Sequence, residues 1–271
     1  MKTHRNLNSP RLGRWLFLLL IGLIYLFLTL PSLLVIPMSF GGSGSLSFPP
    51  KEFSLDLYRQ FFTSPVWTGS LLESLRVGAL TAICATIIGS LSAYGLMRGT
   101  FPGKKFLGFV LLSPILLPAI VIGLGIYFYF SYLRITGTTL GLVLAHSVLT
   151  IPYVIVTVSS GLKQIDPRVE LAAEMMGASS IRIFLRVVVP QIKGSLLGAA
   201  LFAFLISFDE VVIAWLISGN NAATLPVVMY SSLKVEVSPV IAAAATMLSA
   251  ASIVICALAG LAQKKGETDE T

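Results

Sequence analysis

The stretch DPRVELAAEMMGASSIRIFLRVVVP, residues 166–190, interrupts a chain that otherwise reads as lipid-soluble. It carries Arg168, Arg182 and Arg186 against Asp166, Glu170 and Glu174. Asp166 suits a helix N-cap, with Pro167 at the first helical position. Glu170 falls in the early turns, where a negative charge complements the helix dipole. Ala172 and Ala173 make a small flat face, and Gly177 can end the helix in the left-handed conformation. Ser179 or Ser180 can then open a second helix, predicted to end before Pro190. The apolar side chains here (Leu171, Met175, Met176, Ile181, Phe184) are too few to cross a bilayer. They fit an amphipathic helix resting on the membrane or a helix seated in a partner's groove, and the residues alone leave both open.

The rest of the chain fixes the class. It is 55% hydrophobic, only 11% charged, and its mean hydropathy is +0.88. Soluble domains average about 25% charged residues. Apolar runs of about 20 residues, enough to span a bilayer, recur along the whole length. Six spans are expected, near 15–38, 70–97, 106–131, 140–162, 192–218 and 239–262. The fold class is therefore all-α and polytopic. Lys2, Arg5, Arg11, Arg14, Arg98, Lys104, Lys105, Lys163, Arg168, Arg182, Arg186, Lys193, Lys264 and Lys265 would share one side, against Lys51, Arg59, Arg134 and Lys234 on the other. The basic side is expected to be cytoplasmic, so both termini and residues 166–190 lie inside. The net charge of +7 thus serves topology, and nucleic acid is not an expected partner; membrane lipid is. The first run is too long for the apolar core of a signal peptide and lacks a small-residue cleavage site, so it reads as a retained anchor. Residues 39–66 read as a loop with a short interfacial helix. Cys84 and Cys256 lie in separate apolar runs, and no metal-ligand spacing is present.

Several residues inside the spans invite a functional reading. Asp209 and Glu210 fall within the fifth span, where charge is costly and turns toward a cavity or a partner. Adjacent residues on a helix point about 100° apart, so only one is expected to face a path. An ion pair, for example with Arg76, is the structural alternative. Tyr127 and Tyr129 belong to an aromatic run at the end of the third span that suits either an interfacial belt or a cation–π lining. Glu73 and Arg76 are one turn apart and can pair. His146 suits a hydrogen-bonded packing role. In the second span Gly78, Ala82, Ala85, Gly89 and Ala93 recur at helical spacing, which favours close helix approach. Pro114, Pro118 and Pro152 are expected to bend the third and fourth spans.

Ala172-Ala173-x-x-x-Gly177, followed by Pro190, resembles the EAA loop of ABC importer permeases. Leu171 stands where the glutamate of that motif is expected, and Glu170 lies one residue earlier. SFDEVVIAWLISG (residues 207–219) and TLPVVMYSSLKVEVSPVIAAAATML (residues 224–248) are similar to the end of spermidine/putrescine-type, PotC-like permeases. The resemblance implies a type I (MetI-like) permease fold with both termini inside, in a bacterial inner membrane. It implies an ATPase dimer that grips a coupling loop at 163–191 through Glu170, Ala172, Ala173, Glu174, Gly177 and Pro190. It also implies a second, similar permease subunit and an extracytoplasmic solute-binding protein. The cargo would be a small cationic nitrogen compound, most readily a polyamine, or an amino-acid derivative or opine in its place. Asp209, Glu210, Tyr127 and Tyr129 would line the path. Residues 1–66 would form the N-terminus, first span and external loop, 67–262 the permease core, and 263–271 a tail. The chain has no GxxxxGK[ST] loop, so ATP and Mg²⁺ would be bound by the partner ATPase and no cofactor by this subunit. Two other classes compete. In a proton-coupled secondary transporter Asp209 or Glu210 would carry the proton. An intramembrane hydrolase would need a nucleophile–base pair or paired aspartates, which the spans do not supply.

Overall fold

The computed structural model describes residues 10–42, 44, 46–219, 222–235 and 238–268. Lys2 and Arg5 of the basic N-terminus, and residues 269–271 of the expected tail, lie outside them. The described residues form helices joined by turns, with one isolated antiparallel bridge between Gly41 and Phe53.

The helices are α1 (Pro10–Met38), α2 (Asp56–Thr63), α3 (Pro65–Arg98), α4 (Lys104–Leu112), α5 (Ala119–Tyr132) and α6 (Thr139–Leu162). There follow α7 (Pro167–Met175), α8 (Ser180–Gln191), α9 (Lys193–Asp209), α10 (Val212–Ile217), α11 (Leu225–Val235) and α12 (Val240–Thr268). Four are long and apolar enough to cross a membrane, and the number reaches six if each sharply bent pair is one span. The all-helical, polytopic reading therefore holds.

Contacts divide the chain into two units: Met1–Phe61 with Val237–Ser249, and Phe62–Glu236 with Ala250–Thr271. In the first, the apolar window of α1 is wholly exposed, so lipid or another subunit must cover it. The loop after α1 is tied by the Ser39 hydroxyl to Tyr58 Oη at 2.7 Å, with Phe40 against the Tyr58 ring. Leu57 and Phe61 are the buried side of α2, the short helix expected after the loop.

The second unit is built on α3, α6 and α9. The small residues of α3 are its buried stripe: Gly78, Ala82, Ala85, Gly89 and Ala93 all face neighbours. A Cβ on Gly89 would stand 2.6 Å from Val154 Cγ1, so only glycine lets α6 approach there. One apolar cluster joins Ala85, Val154, Val158, Leu162, Ala199 and Ala203 to Ala173, Ile183, Phe184 and Val188 from α7 and α8. A second joins Val77 and Leu142 to Phe130, Ile213, Ile217 and Val227.

The bend expected in the third span is present and sharp: α4 and α5 meet at 105°, with Pro114 in a single 3-10 turn and Pro118 at the N-cap position of α5. The sequence reading needs correction at the fifth span. The fifth is not one helix over 192–218. It breaks after Asp209, where Glu210 is extended (ψ 122°), and restarts at Val212.

Candidate functional site

The polar segment folds as two short helices around a glycine turn. The Asp166 carboxylate accepts from the Arg168 N–H at 2.9 Å, and Pro167 opens α7. At its end Gly177 has φ +82°. Its N–H donates to the Glu174 carbonyl at 2.8 Å, and the Ala178 N–H donates to the Ala173 carbonyl at 3.1 Å. These two bonds are the Schellman closure that a left-handed residue makes possible. Ser179 occupies the next N-cap position through its backbone only. The second helix does not stop before Pro190. It continues to Gln191 through a π-helical stretch, Phe184–Val188, and turns by 85° into α9 at Ile192. Wider winding upstream leaves room for a proline that lacks an N–H.

The candidate docking residues separate by direction. Ala172, Glu174 and Gly177 are exposed, whereas Ala173 is buried under Ile183 and Phe184; the alanine pair is therefore not one flat face. Met175 and Met176, each 83% exposed, stand beside Leu171 and Ile181 as an apolar surface. Pro190 is exposed at the far end.

Glu170 points inward, away from the surface on which Glu174 is exposed. Oε1 accepts from Arg98 Nε at 2.8 Å and lies 2.8 Å from the second guanidinium nitrogen. The Tyr94 hydroxyl donates to Oε2 at 3.1 Å. Arg98 also donates to the Leu162 carbonyl at 3.2 Å. One guanidinium thus ties the end of α3 to the end of α6 and to α7. The pairing is a charge-assisted hydrogen bond, stronger than a neutral one, with both guanidinium nitrogens near the one carboxylate oxygen. A cavity of about 470 Å³ opens beside it, lined by Tyr94, Arg98, Glu170, Leu171 and Glu174 among others.

The fifth-span pair is split in the same way. Glu210 is drawn in as a cap: its carboxylate accepts from the N–H groups of Val212 (3.0 Å), Ile213 (3.0 Å) and Ala214 (2.9 Å). These are the donors that a helix start leaves without intrahelical partners. Beside it, His146 Nδ1 bonds the Ser207 hydroxyl at 2.8 Å, and Nε2 lies 3.8 Å from Glu210 Oε2. The packing role expected of His146 is the one observed. Asp209 is exposed and makes no hydrogen bond or ion pair among the described residues. Arg76 is not its partner; it pairs with Glu73 at 3.2 Å. Tyr127 and Tyr129 of α5 are both exposed, 37% and 61% accessible, and no hydrogen bond joins them to either carboxylate.

Sequence reasoning missed the Tyr94–Arg98 brace, because its partners are distant along the chain and Arg98 counted only as a topology charge. It also missed a cluster in which Trp215 of α10 meets Tyr230 and Lys234, one turn apart on α11. No group of three His, Cys, Asp or Glu side chains fit to hold a metal occurs among the described residues.

Helices long and apolar enough to span a membrane, sharp bends in two of the expected spans and a surface segment closed by a glycine turn fit a transport permease. Residues 85–265 match the family model described as the binding-protein-dependent transport system inner membrane component, and the chain belongs to that family. It is 30% identical over 243 residues to the spermidine/putrescine transport system permease protein PotC of Haemophilus influenzae, covering 89% of this chain and 94% of that one. It is 31% identical over 250 residues to the putrescine transport system permease protein PotI of Escherichia coli, covering 90% and 88%. Among solved structures it resembles a bacterial ABC transporter involved in the import of the acidic polysaccharide alginate. There the TM-score is 0.73 at 16% identity, over 97% of this chain and 99% of that one, which shows the shared fold. The protein is thus an inner-membrane, multi-pass permease subunit of an ABC importer that works with an ATPase and a solute-binding protein. It is not itself the catalytic subunit.

Proposed function

We propose that this subunit forms half of the path for a small polycation of the spermidine/putrescine class, paired with a second, similar permease. The observation that carries the reading is Asp209: an exposed, unpaired carboxylate at the break of a membrane-embedded span. Burial of such a charge in an assembly demands a cationic occupant or a basic partner. Resemblance to two polyamine permeases of about 30% identity favours the cationic occupant. Tyr127 and Tyr129 are placed in the same path. Glu210 has a different role here: it keeps the span broken and so fixes where Asp209 stands.

The ATPase contact is assigned to segment 163–191, within a permease core of 67–262. Met175, Met176, Ile181 and Ala172 supply the apolar surface, Glu174 the exposed charge, and Gly177 the turn. Glu170 acts behind this surface, as the brace that makes α7 move with α3 and α6. Closure of the ATPase dimer would then shift three helices together, the bistable rearrangement that alternating access needs.

The test is uptake into proteoliposomes containing this chain, its partner permease and the ATPase, with the cognate binding protein outside. Radiolabelled putrescine or spermidine should accumulate only with ATP. Accumulation by this chain alone, driven by a proton gradient, would establish a secondary transporter instead. ATP-driven uptake of a neutral or anionic solute, with no amine uptake, would reject the polyamine assignment and leave the permease role intact.

A further inference from the structure

Two cation–π contacts of one lysine form a small cage. Trp215 in α10 and Tyr230 in α11 meet edge to face, with ring centroids 5.9 Å apart. Lys234 Nζ lies 4.6 Å from the Tyr230 centroid and 5.2 Å from that of Trp215. Both distances are within the range of direct ammonium attraction to an aromatic face. Lys234 is exposed, as is Trp215, and no carboxylate pairs with the ammonium among the described residues. Trp215 belongs to the helix that restarts the fifth span just after Asp209.

We infer that this cage is a reception site for an alkylammonium group of the transported substrate, which Lys234 occupies in the substrate's absence. A lysine side chain is a primary ammonium on a four-carbon stem. That is chemically one end of putrescine, so the lysine shows directly what the two rings accept. An exposed cation–π contact is weak, so a tethered ammonium can be displaced by one arriving in the substrate. Lys234 then acts as a guard. Its charge repels cations while it occupies the cage, and its stem lets it swing away.

The inference rests on the polyamine reading, and the experiment separates the two. Uptake of radiolabelled putrescine per ATP hydrolysed is measured in the complete proteoliposome system with saturating binding protein. Trp215→Leu and Tyr230→Leu should each lower that ratio about fivefold, the effect of losing one ring face. Tyr230→Phe keeps the aromatic face and should recover most of the ratio lost in Tyr230→Leu, which separates loss of the ring from loss of the fold. Lys234→Gln removes the competing ammonium, so it should raise the ratio. The double variant Trp215→Leu/Lys234→Gln should behave like Trp215→Leu alone. If Lys234→Gln lowers uptake as much as Trp215→Leu, the contact is a structural strut and the inference is overturned. Wild-type uptake in both ring variants overturns it too. If the wild-type complex moves no amine at all, the polyamine reading fails first.

Discussion

The coupling segment and the fifth-span break use acidic residues by the same scheme and with different partners. In each, a glutamate is turned inward and a neighbouring residue is left outside. Glu170 is satisfied by a cation and a phenol from another helix, whereas Glu210 is satisfied by the backbone N–H groups of the helix it begins. The first is long-range and links elements that must move together. The second is local and fixes the position of a break. Losing the first uncouples helices; losing the second reshapes one.

The largest expected effect belongs to the long-range member. Glu170→Ala leaves the Arg98 guanidinium partly buried without its carboxylate, at a cost of about 3 kcal/mol. ATP hydrolysis stimulated by the loaded binding protein should collapse while basal hydrolysis survives. Arg98→Leu with Glu170→Leu removes both charges and should recover stability without recovering coupling. If the double variant transports normally, the brace is not a coupling element.

Gly177→Asp comes next. A non-glycine residue at φ +82° strains the turn by about 1–2 kcal/mol, and the open space around it puts the new charge on the docking surface. The protein should still insert and purify, but transport should fall by more than about tenfold. Normal transport by the purified complex would remove the docking assignment.

Glu210→Ala orphans three N–H groups, and the cap loss costs about 1–2 kcal/mol. Amide exchange at Val212, Ile213 and Ala214 should speed up ahead of the rest of α10. Uniform exchange would mean that the cap does not set the break. Asp209→Asn should change stability by less than about 0.5 kcal/mol, since the residue is exposed and unpaired. It should nonetheless reduce amine uptake; unchanged uptake would take Asp209 out of the path.

The contrast also explains what the sequence could convey. The cap at Asp166, the proline at 167 and the turn at Gly177 depend on residues a few positions apart, and all three were legible. So were the small-residue stripe of α3 and the Glu73–Arg76 pair, which follow helical spacing. The brace was not legible, because Arg98 and Glu170 meet only after α3, α6 and α7 have packed. The broken fifth span was hidden for a different reason. SFDEVVIAW contains neither glycine nor proline, and its break is stabilised by a side chain that takes over the backbone's partners. A periodicity argument counts Glu210 as a helical residue; the structure uses it as a cap. The direction of Glu170 was not legible either, because position along a motif does not give direction. In α7 residues 170 and 173 face the bundle, while 171, 172 and 174 face away.

The central claim, that segment 163–191 delivers the ATPase's motion, is tested most directly by disulfide cross-linking. A cysteine placed at Met176, in a background lacking Cys84 and Cys256, should cross-link to single cysteines lining the ATPase cleft. The yield should change between nucleotide-free and ATP-bound complexes, and locking the link should stop transport. A cysteine at Ala173, on the buried side, should not react. Equal labelling of both positions with no ATPase cross-link in any nucleotide state would contradict the account.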